Sequence, residues 1–182
     1  ILDVGNGLQQ DYQGKDVKGK IALVYLQILP GSPTGTKNLH RSEKTAIAAG
    51  LGAKGVIFIN AVKGGVLLTG TASITGDLID IPAVCIGYED GMGLKERLAQ
   101  QEPLRAKIDM ENTSANMEAR NVVATLEGKS PDKIVVGGHL DSWDLATGAI
   151  DNGIGSFAVI DMAKTLKSLH IKPKRTIEFV LF

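Results

Sequence analysis

The sequence has little cysteine and no excess of either charge. A single cysteine among 182 residues excludes an internal disulfide framework. That residue, Cys85, lies in the apolar run 81–86 with no histidine near it in sequence, which favours a buried structural thiol over a nucleophile. Twenty basic and twenty acidic residues cancel, so no nucleic acid and no anionic membrane is expected as a partner.

Long apolar runs are also missing. No stretch of about 18 apolar residues occurs, so no transmembrane helix is expected. The first residues lack a basic start followed by an apolar stretch, so we expect no signal peptide in this chain. Hydrophobic residues still make up 43% of the chain, enough for a packed core. The length exceeds the usual single domain of about 100–150 residues, which favours two parts.

What is present is an alternation of short apolar runs and amphipathic segments, which predicts an α/β fold. A polar segment at 111–118 has the character of a connector and divides the chain into candidate domains 1–116 and 117–182. Leu23, Val56, Ile57, Phe58 and Val84 are the candidate core of the first part. We expect strands at 21–26, 56–59, 83–86, 106–110, 121–126, 133–136 and 176–182, and helices at 41–49, 89–99 and 154–169. Strands 121–126 and 133–136 are expected to pair as a hairpin across 127–132.

The segment 137–153 carries the most chemistry. It reads Gly-Gly-His-Leu-Asp-Ser-Trp-Asp, followed four residues later by Gly-Ala-Ile-Asp-Asn-Gly. His139 follows the predicted strand 133–136, at the sheet edge where catalytic groups collect. An imidazole and carboxylates suit a divalent zinc ion, and a ligating histidine donates its other ring N–H to an acceptor. Asp141 is placed for that second task, because side chains two apart in an extended segment point the same way. Asp151 is a candidate for bridging two ions.

These residues resemble the metal-site segment of the zinc aminopeptidase and glutamate carboxypeptidase family. The resemblance implies that His139 binds one zinc, that Asp151 bridges two zincs, and that Asp141 orients His139. It further implies a peptide substrate hydrolysed by a metal-activated water, an extracellular or periplasmic location, and an assembly compatible with a homodimer. Where relatives often have a second aspartate, this chain has Asn152. No cofactor other than zinc is expected.

The first part resembles the protease-associated (PA) domain found in many secreted members of that family. The resemblance rests on the segments 19–24, 43–60 and 81–84. We therefore expect a PA αβ domain over 1–116, followed by the first part of a mixed-sheet zinc-exopeptidase domain over 117–182.

Several groups that the family pattern needs are missing. No Glu-Glu pair occurs in the chain, and the two other histidines are better explained by helix ends, His40 before a helix start and His170 after a helix. We therefore expect a catalytically inactive fragment of a longer enzyme. The alternative is a non-catalytic interaction module whose PA domain binds a partner or substrate. Trp143 can either pack the loop or stack on a substrate, and packing is favoured.

Overall fold

The computed structural model describes all residues from Ile1 to Phe182 and divides into two compact units, Ile1–Ala115 and Asn116–Phe182. The first unit contains strands β1 (Leu2–Asp3), β2 (Ile21–Tyr25), β3 (Gly55–Ile59) and β4 (Ala83–Ile86), with helices α1 (Arg41–Gly50) and α2 (Tyr88–Ala99). The four strands form one sheet in the order β1-β2-β3-β4, and every neighbouring pair is parallel. The α/β class predicted from the sequence is confirmed.

The two faces of this sheet are both covered, which explains why its strands are continuous apolar runs. On one face Val24 and Phe58 pack with Ala48 of α1. On the other face Leu23 and Ile57 pack in a cluster that α2 covers. Because successive side chains of a strand point to opposite faces, each of the central strands β2 and β3 contributes side chains to the clusters on both faces.

Helix α2 approaches β3 through a glycine. A Cβ atom placed at Gly91 would lie 2.6 Å from Cγ1 and 2.9 Å from Cβ of Ile59, a fully buried residue. A Cβ atom at Gly93, two residues further along the same helix, would meet nothing within 4 Å. The absent side chain at Gly91 is therefore what lets the helix backbone lie close to the sheet.

A lysine is buried in the first unit. Lys44 of α1 has no solvent-exposed surface, and its Nζ donates hydrogen bonds to the carbonyl oxygens of Tyr25, Leu26 and Gln27, at 2.8, 3.1 and 3.1 Å. Burial lowers the pKa of Lys44 to about 8, while the charge of Asp11 acts in the opposite direction. The ammonium group thus satisfies three carbonyls where the chain leaves β2.

The second unit is a mixed sheet with one helix. Its strands are β5 (Val122–Leu126), β6 (Ser130–Gly138) and β7 (Arg175–Leu181), and its helix α3 (Gly155–Ser168) contacts all three strands. The strand order is β5-β7-β6, with β7 antiparallel to β5 and parallel to β6. The predicted hairpin between β5 and β6 is therefore wrong. Strand β7, which follows α3 in the sequence, lies between β5 and β6. A short polar connection does not require the two strands it joins to be neighbours in the sheet.

Two further predictions for the first unit need correction. The predicted strand at 106–110 is not formed, because no neighbouring strand pairs with it. The segment instead contributes one apolar side chain, that of Ile108, which packs against the cluster on the α2 face of the sheet. Of the five predicted core residues, Leu23, Val56, Ile57 and Phe58 are buried, whereas Val84 is only partly buried on strand β4 at the sheet edge. Cys85 on the same strand is partly buried as well.

None of the helices combines the length and the apolar character that crossing a lipid bilayer requires.

Candidate metal centre

The candidate site lies where β6 ends and the chain turns toward α3. Pairing with β7 continues past the strand end, because Phe182 N donates to Gly138 O at 3.2 Å and Leu140 N donates to Phe182 O at 2.5 Å. The carbonyl oxygen of His139 accepts two further hydrogen bonds, from Asn152 Nδ2 at 3.1 Å and from Ser156 Oγ at 3.0 Å. The backbone at His139 is therefore fixed by β7 on one side and by the start of α3 on the other.

The imidazole of His139 lies between two carboxylates. Its Nδ1 is 2.9 Å from Asp141 Oδ1, and its Nε2 is 3.2 Å from Asp151 Oδ1. The structure thus brings together all three residues that the sequence singles out. A carboxylate is only an acceptor when ionised, so the contact with Asp141 fixes the proton of the imidazole on Nδ1. That tautomer leaves the lone pair of Nε2 directed to the side where Asp151 lies.

The surroundings of His139 also favour a positive charge. The hydrogen bond to Asp141 is the main cause that raises the pKa of His139 above its usual value, and the charges of Asp141 and Asp151 act in the same direction. In the absence of a metal, a proton on Nε2 and a divalent cation compete for the same position between the ring and Asp151.

Asp151 is held by two consecutive residues of the preceding loop. Ser142 Oγ donates to its main-chain oxygen at 2.8 Å, and Trp143 Nε1 donates to its Oδ2 at 3.1 Å. Asp151 lies in the irregular helical turn Ala149–Ile154, where it has the non-helical dihedral angles φ −114° and ψ 94°. Gly148 begins this turn in the left-handed region, at φ 69°, a conformation that glycine adopts without strain.

Asn152 is hydrogen-bonded to the backbone of the site. Its side-chain amide donates to the carbonyl oxygen of His139, so it supports the main chain at that residue. A Cβ atom on Gly155 would lie 2.8 Å from both Cγ and Nδ2 of Asn152, and closer still to its Oδ1. The glycine at the start of α3 therefore leaves the space that the Asn152 amide occupies.

The donor atoms fit a zinc ion. Ligands about 2.0–2.2 Å from one tetrahedral zinc are separated from each other by roughly 3.3–3.6 Å, and the 3.2 Å between His139 Nε2 and Asp151 Oδ1 is close to the lower end of that range. The Asp141 contact supplies the carboxylate that usually orients a ligating imidazole. Only two candidate donors converge here, and the chain contains no cluster of three or more histidine, cysteine or acidic side chains arranged for a metal. A complete site therefore needs further ligands.

The other two histidines serve helix ends. His40 caps α1, since its Nδ1 accepts from Ser42 N at 3.3 Å while Glu43 accepts from the backbone N–H of His40 at 2.8 Å. His170 follows α3 with a positive φ of 51°. These placements agree with the interpretation of both residues from the sequence.

Sequence reasoning missed the hydrogen bonds that fix His139 and Asp151 in place. Ser142, Trp143 and Ser156 each contribute one hydrogen bond to the backbone or side chain of a predicted site residue. The available signal was position alone: Ser142 and Trp143 directly follow Asp141, and Ser156 is the second residue of α3. Their partners depend on how the loop folds back, which no residue spacing specifies.

Comparison with known proteins gives two family matches. Residues 3–94 match the PA domain family, and residues 121–182 match peptidase family M28. Aminopeptidase YwaD of Bacillus subtilis (strain 168) is 32% identical over 185 residues, which cover 100% of this chain and 36% of that protein. Carboxypeptidase Q of Bos taurus is 31% identical over 175 residues, which cover 93% of this chain and 36% of that protein.

The fold has a similar match. The solved structure of BSAP, a zinc aminopeptidase from Bacillus subtilis, aligns with a TM-score of 0.64 and 28% identity over 99% of this chain and 40% of that one. The chain thus spans 36% of the length of the curated relatives described above.

Proposed function

Because the chain belongs to peptidase family M28 and carries a PA domain, we propose that it forms part of a zinc-dependent exopeptidase that cleaves short peptides. The observation that carries this proposal is the position of the His139 imidazole between Asp141 and Asp151, with Nε2 and Asp151 Oδ1 3.2 Å apart. The similar proteins include both aminopeptidases and carboxypeptidases, so the proposal covers either end of the peptide.

Each residue has a separate task in this proposal. His139 would hold one zinc through Nε2, Asp141 would hold the Nδ1 proton and so keep the ring in the binding tautomer, and Asp151 would be the carboxylate shared by two zincs. Bound zinc supplies Lewis acidity, which lowers the pKa of water and polarises a peptide carbonyl. The remaining ligands and the proton-transferring base are contributed from outside this chain. In this scheme residues 1–116 are the PA domain and residues 117–182 begin the catalytic domain.

The fixed loop explains how these residues would bind without rearrangement. The carbonyl of His139 is tied to Asn152 and Ser156, and the backbone of Asp151 is tied to Ser142. The backbone positions that carry both donors are therefore held in place before a cation arrives, which lowers the entropy lost on binding. On the resemblance to secreted family members, we also propose an extracellular or periplasmic location.

The test is a pair of aspartate substitutions in the full-length protein. Asp151→Ala removes the proposed bridge, whereas Asp144→Ala removes an exposed carboxylate of the same loop for which no contact to His139 or Asp151 is present. We expect Asp151→Ala to lose at least one of two bound zincs, by metal analysis after dialysis, and to lose peptide hydrolysis. Asp144→Ala should keep both.

Retention of two zincs and full turnover by Asp151→Ala would overturn the assignment. If the parent protein binds no zinc in a titration and cleaves no peptide, the chain acts as a non-catalytic module, and the PA domain becomes the part to test for partner binding.

A further inference from the structure

The contact between Trp143 and Asp151 gives the tryptophan a task in the site beyond packing. The indole Nε1 donates to Asp151 Oδ2 at 3.1 Å, while Oδ1 of the same carboxylate lies 3.2 Å from His139 Nε2. One oxygen is thus held by the tryptophan and the other is presented to the imidazole. Indole offers an N–H donor and no acceptor, which suits a carboxylate oxygen as its partner.

Burial does not fix this carboxylate. The side chain of Asp151 is 56% exposed, so packing leaves its rotation largely free. A side chain that rotates freely loses conformational entropy when a bound cation orders it. A hydrogen bond that orders the side chain beforehand reduces that loss. Ser142 holds only the main chain of Asp151, whereas Trp143 donates to the carboxylate itself, at the oxygen other than the one that faces His139.

We propose that Trp143 is a positioning residue for the metal site, in which its indole N–H orients the Asp151 carboxylate toward His139. This inference rests on the proposed function, because it assumes that Asp151 binds the cation. A carboxylate oxygen has two lone pairs, so the hydrogen bond to Oδ2 leaves that oxygen able to bind a second cation. Groups that orient ligands in this way typically change metal affinity by about 10–100-fold when they are replaced.

The test measures Zn²⁺ affinity of the metal-free full-length protein by titration against a competing chelator. Trp143→Phe keeps an aromatic ring in the loop and removes the N–H, and we expect about 10–100-fold weaker binding. Trp143→Gln restores an N–H at the same number of bonds from Cα and should recover part of the affinity. Phe157→Leu removes a 72% exposed ring from the same unit and should bind as the parent does. His139→Ala tests the site itself.

The outcomes separate the two ideas. If His139→Ala weakens zinc binding while Trp143→Phe binds as tightly as the parent, the site stands and the positioning role is wrong. If His139→Ala binds as the parent does, the proposed function fails and this inference fails with it. Equal losses for Phe and Gln at position 143, with lowered melting temperatures of the metal-free proteins, indicate packing and also overturn the positioning role.

A metal-independent measurement covers the case in which the Trp143 variants do not fold. Trp143 is the one tryptophan among these 182 residues, so fluorescence of the chain excited at the tryptophan band reports on that ring alone. We expect Asp151→Ala to shift the emission because the indole loses its acceptor, and Asp144→Ala to leave it unchanged. An unchanged spectrum in Asp151→Ala would refute the hydrogen bond on which the proposal depends.

Discussion

The packing of α2 on β3 can be tested with two glycines of the same helix. Gly91→Ala introduces a methyl group where a Cβ would lie 2.6 Å from Cγ1 and 2.9 Å from Cβ of Ile59, whereas Gly93→Ala introduces it into open space. Both positions lie inside α2, so both substitutions gain about 0.5–1 kcal/mol from the lower backbone entropy of alanine in the unfolded chain.

The clash at Gly91 is costly because its partner cannot move away. Ile59 is fully buried, and the atoms approached include its β-carbon, which is fixed to the strand. Adding a methyl group to a filled core typically costs about 1–3 kcal/mol. Since the backbone gain is common to both variants, the difference between them isolates the packing cost. We therefore expect Gly91→Ala to be less stable than Gly93→Ala by about 1–3 kcal/mol, and Gly93→Ala to be at least as stable as the parent.

The assay has to report on the first unit. Amide hydrogen exchange of peptides that cover β3 and α2 gives the local opening free energy, and urea denaturation followed by circular dichroism gives the overall order of stability. Equal protection of β3 and α2 in the two variants would refute the close approach of Gly91 to Ile59.

Further outcomes are expected at three other residues. Lys44 has a pKa of about 8 in the folded chain and 10.5 when unfolded, so the unfolded state binds more protons between these two pH values. The free energy of unfolding should therefore rise with pH across that window, by at most about 3 kcal/mol. Urea denaturation from pH 7 to 10 checks this, and Lys44→Met should flatten the dependence on pH. The Tyr12 hydroxyl is buried without a hydrogen-bond partner, so Tyr12→Phe should keep or raise the melting temperature, with a gain of up to about 1 kcal/mol; a clear loss would reveal an unrecognised partner. Burial raises the pKa of Tyr12 to about 12, so the parent loses stability as the pH rises from 10 to 12 while Tyr12→Phe should lose less over this range. Ser156→Ala removes one of two donors to the His139 carbonyl and should cost about 1 kcal/mol, measured by thermal denaturation of the second unit, while leaving the Asn152 contact in place.

Much of the fold could be predicted because it depends on local patterns. Strands β2 and β3 are continuous apolar runs with glycines or polar residues at their ends, and the two helices of the first unit begin and end within a residue or so of the predicted bounds. The failures concern pairing. Nothing in residues 121–138 indicates that β7 separates β5 from β6, because strand order depends on contacts across α3. The run around Ile108 has the pattern of a strand but packs a single side chain.

The candidate site divides in the same way. The spacing of His139 and Asp141 predicts their contact, because both lie on one short segment. Asp151 is a candidate both from its place after the glycine-containing loop and from the resemblance, and the structure places it beside His139, whereas the roles of both residues as ligands remain predictions. The sequence could not predict the hydrogen bonds that the site residues receive from Ser142, Trp143 and Ser156. These bonds form only when the loop 140–154 folds back to the end of the strand.

The order of the second sheet has a consequence for synthesis on the ribosome. Strand β7 is translated last of the three strands, yet it occupies the central position and provides the only partner for both β5 and β6. Until residues 175–181 emerge, the two earlier strands have no ladder to join, and their apolar side chains stay accessible to other nascent chains. The first unit has no such delay, because each of its strands pairs with the one made just before it. Co-translational folding should therefore proceed in two steps, with the second unit as the late and aggregation-sensitive one.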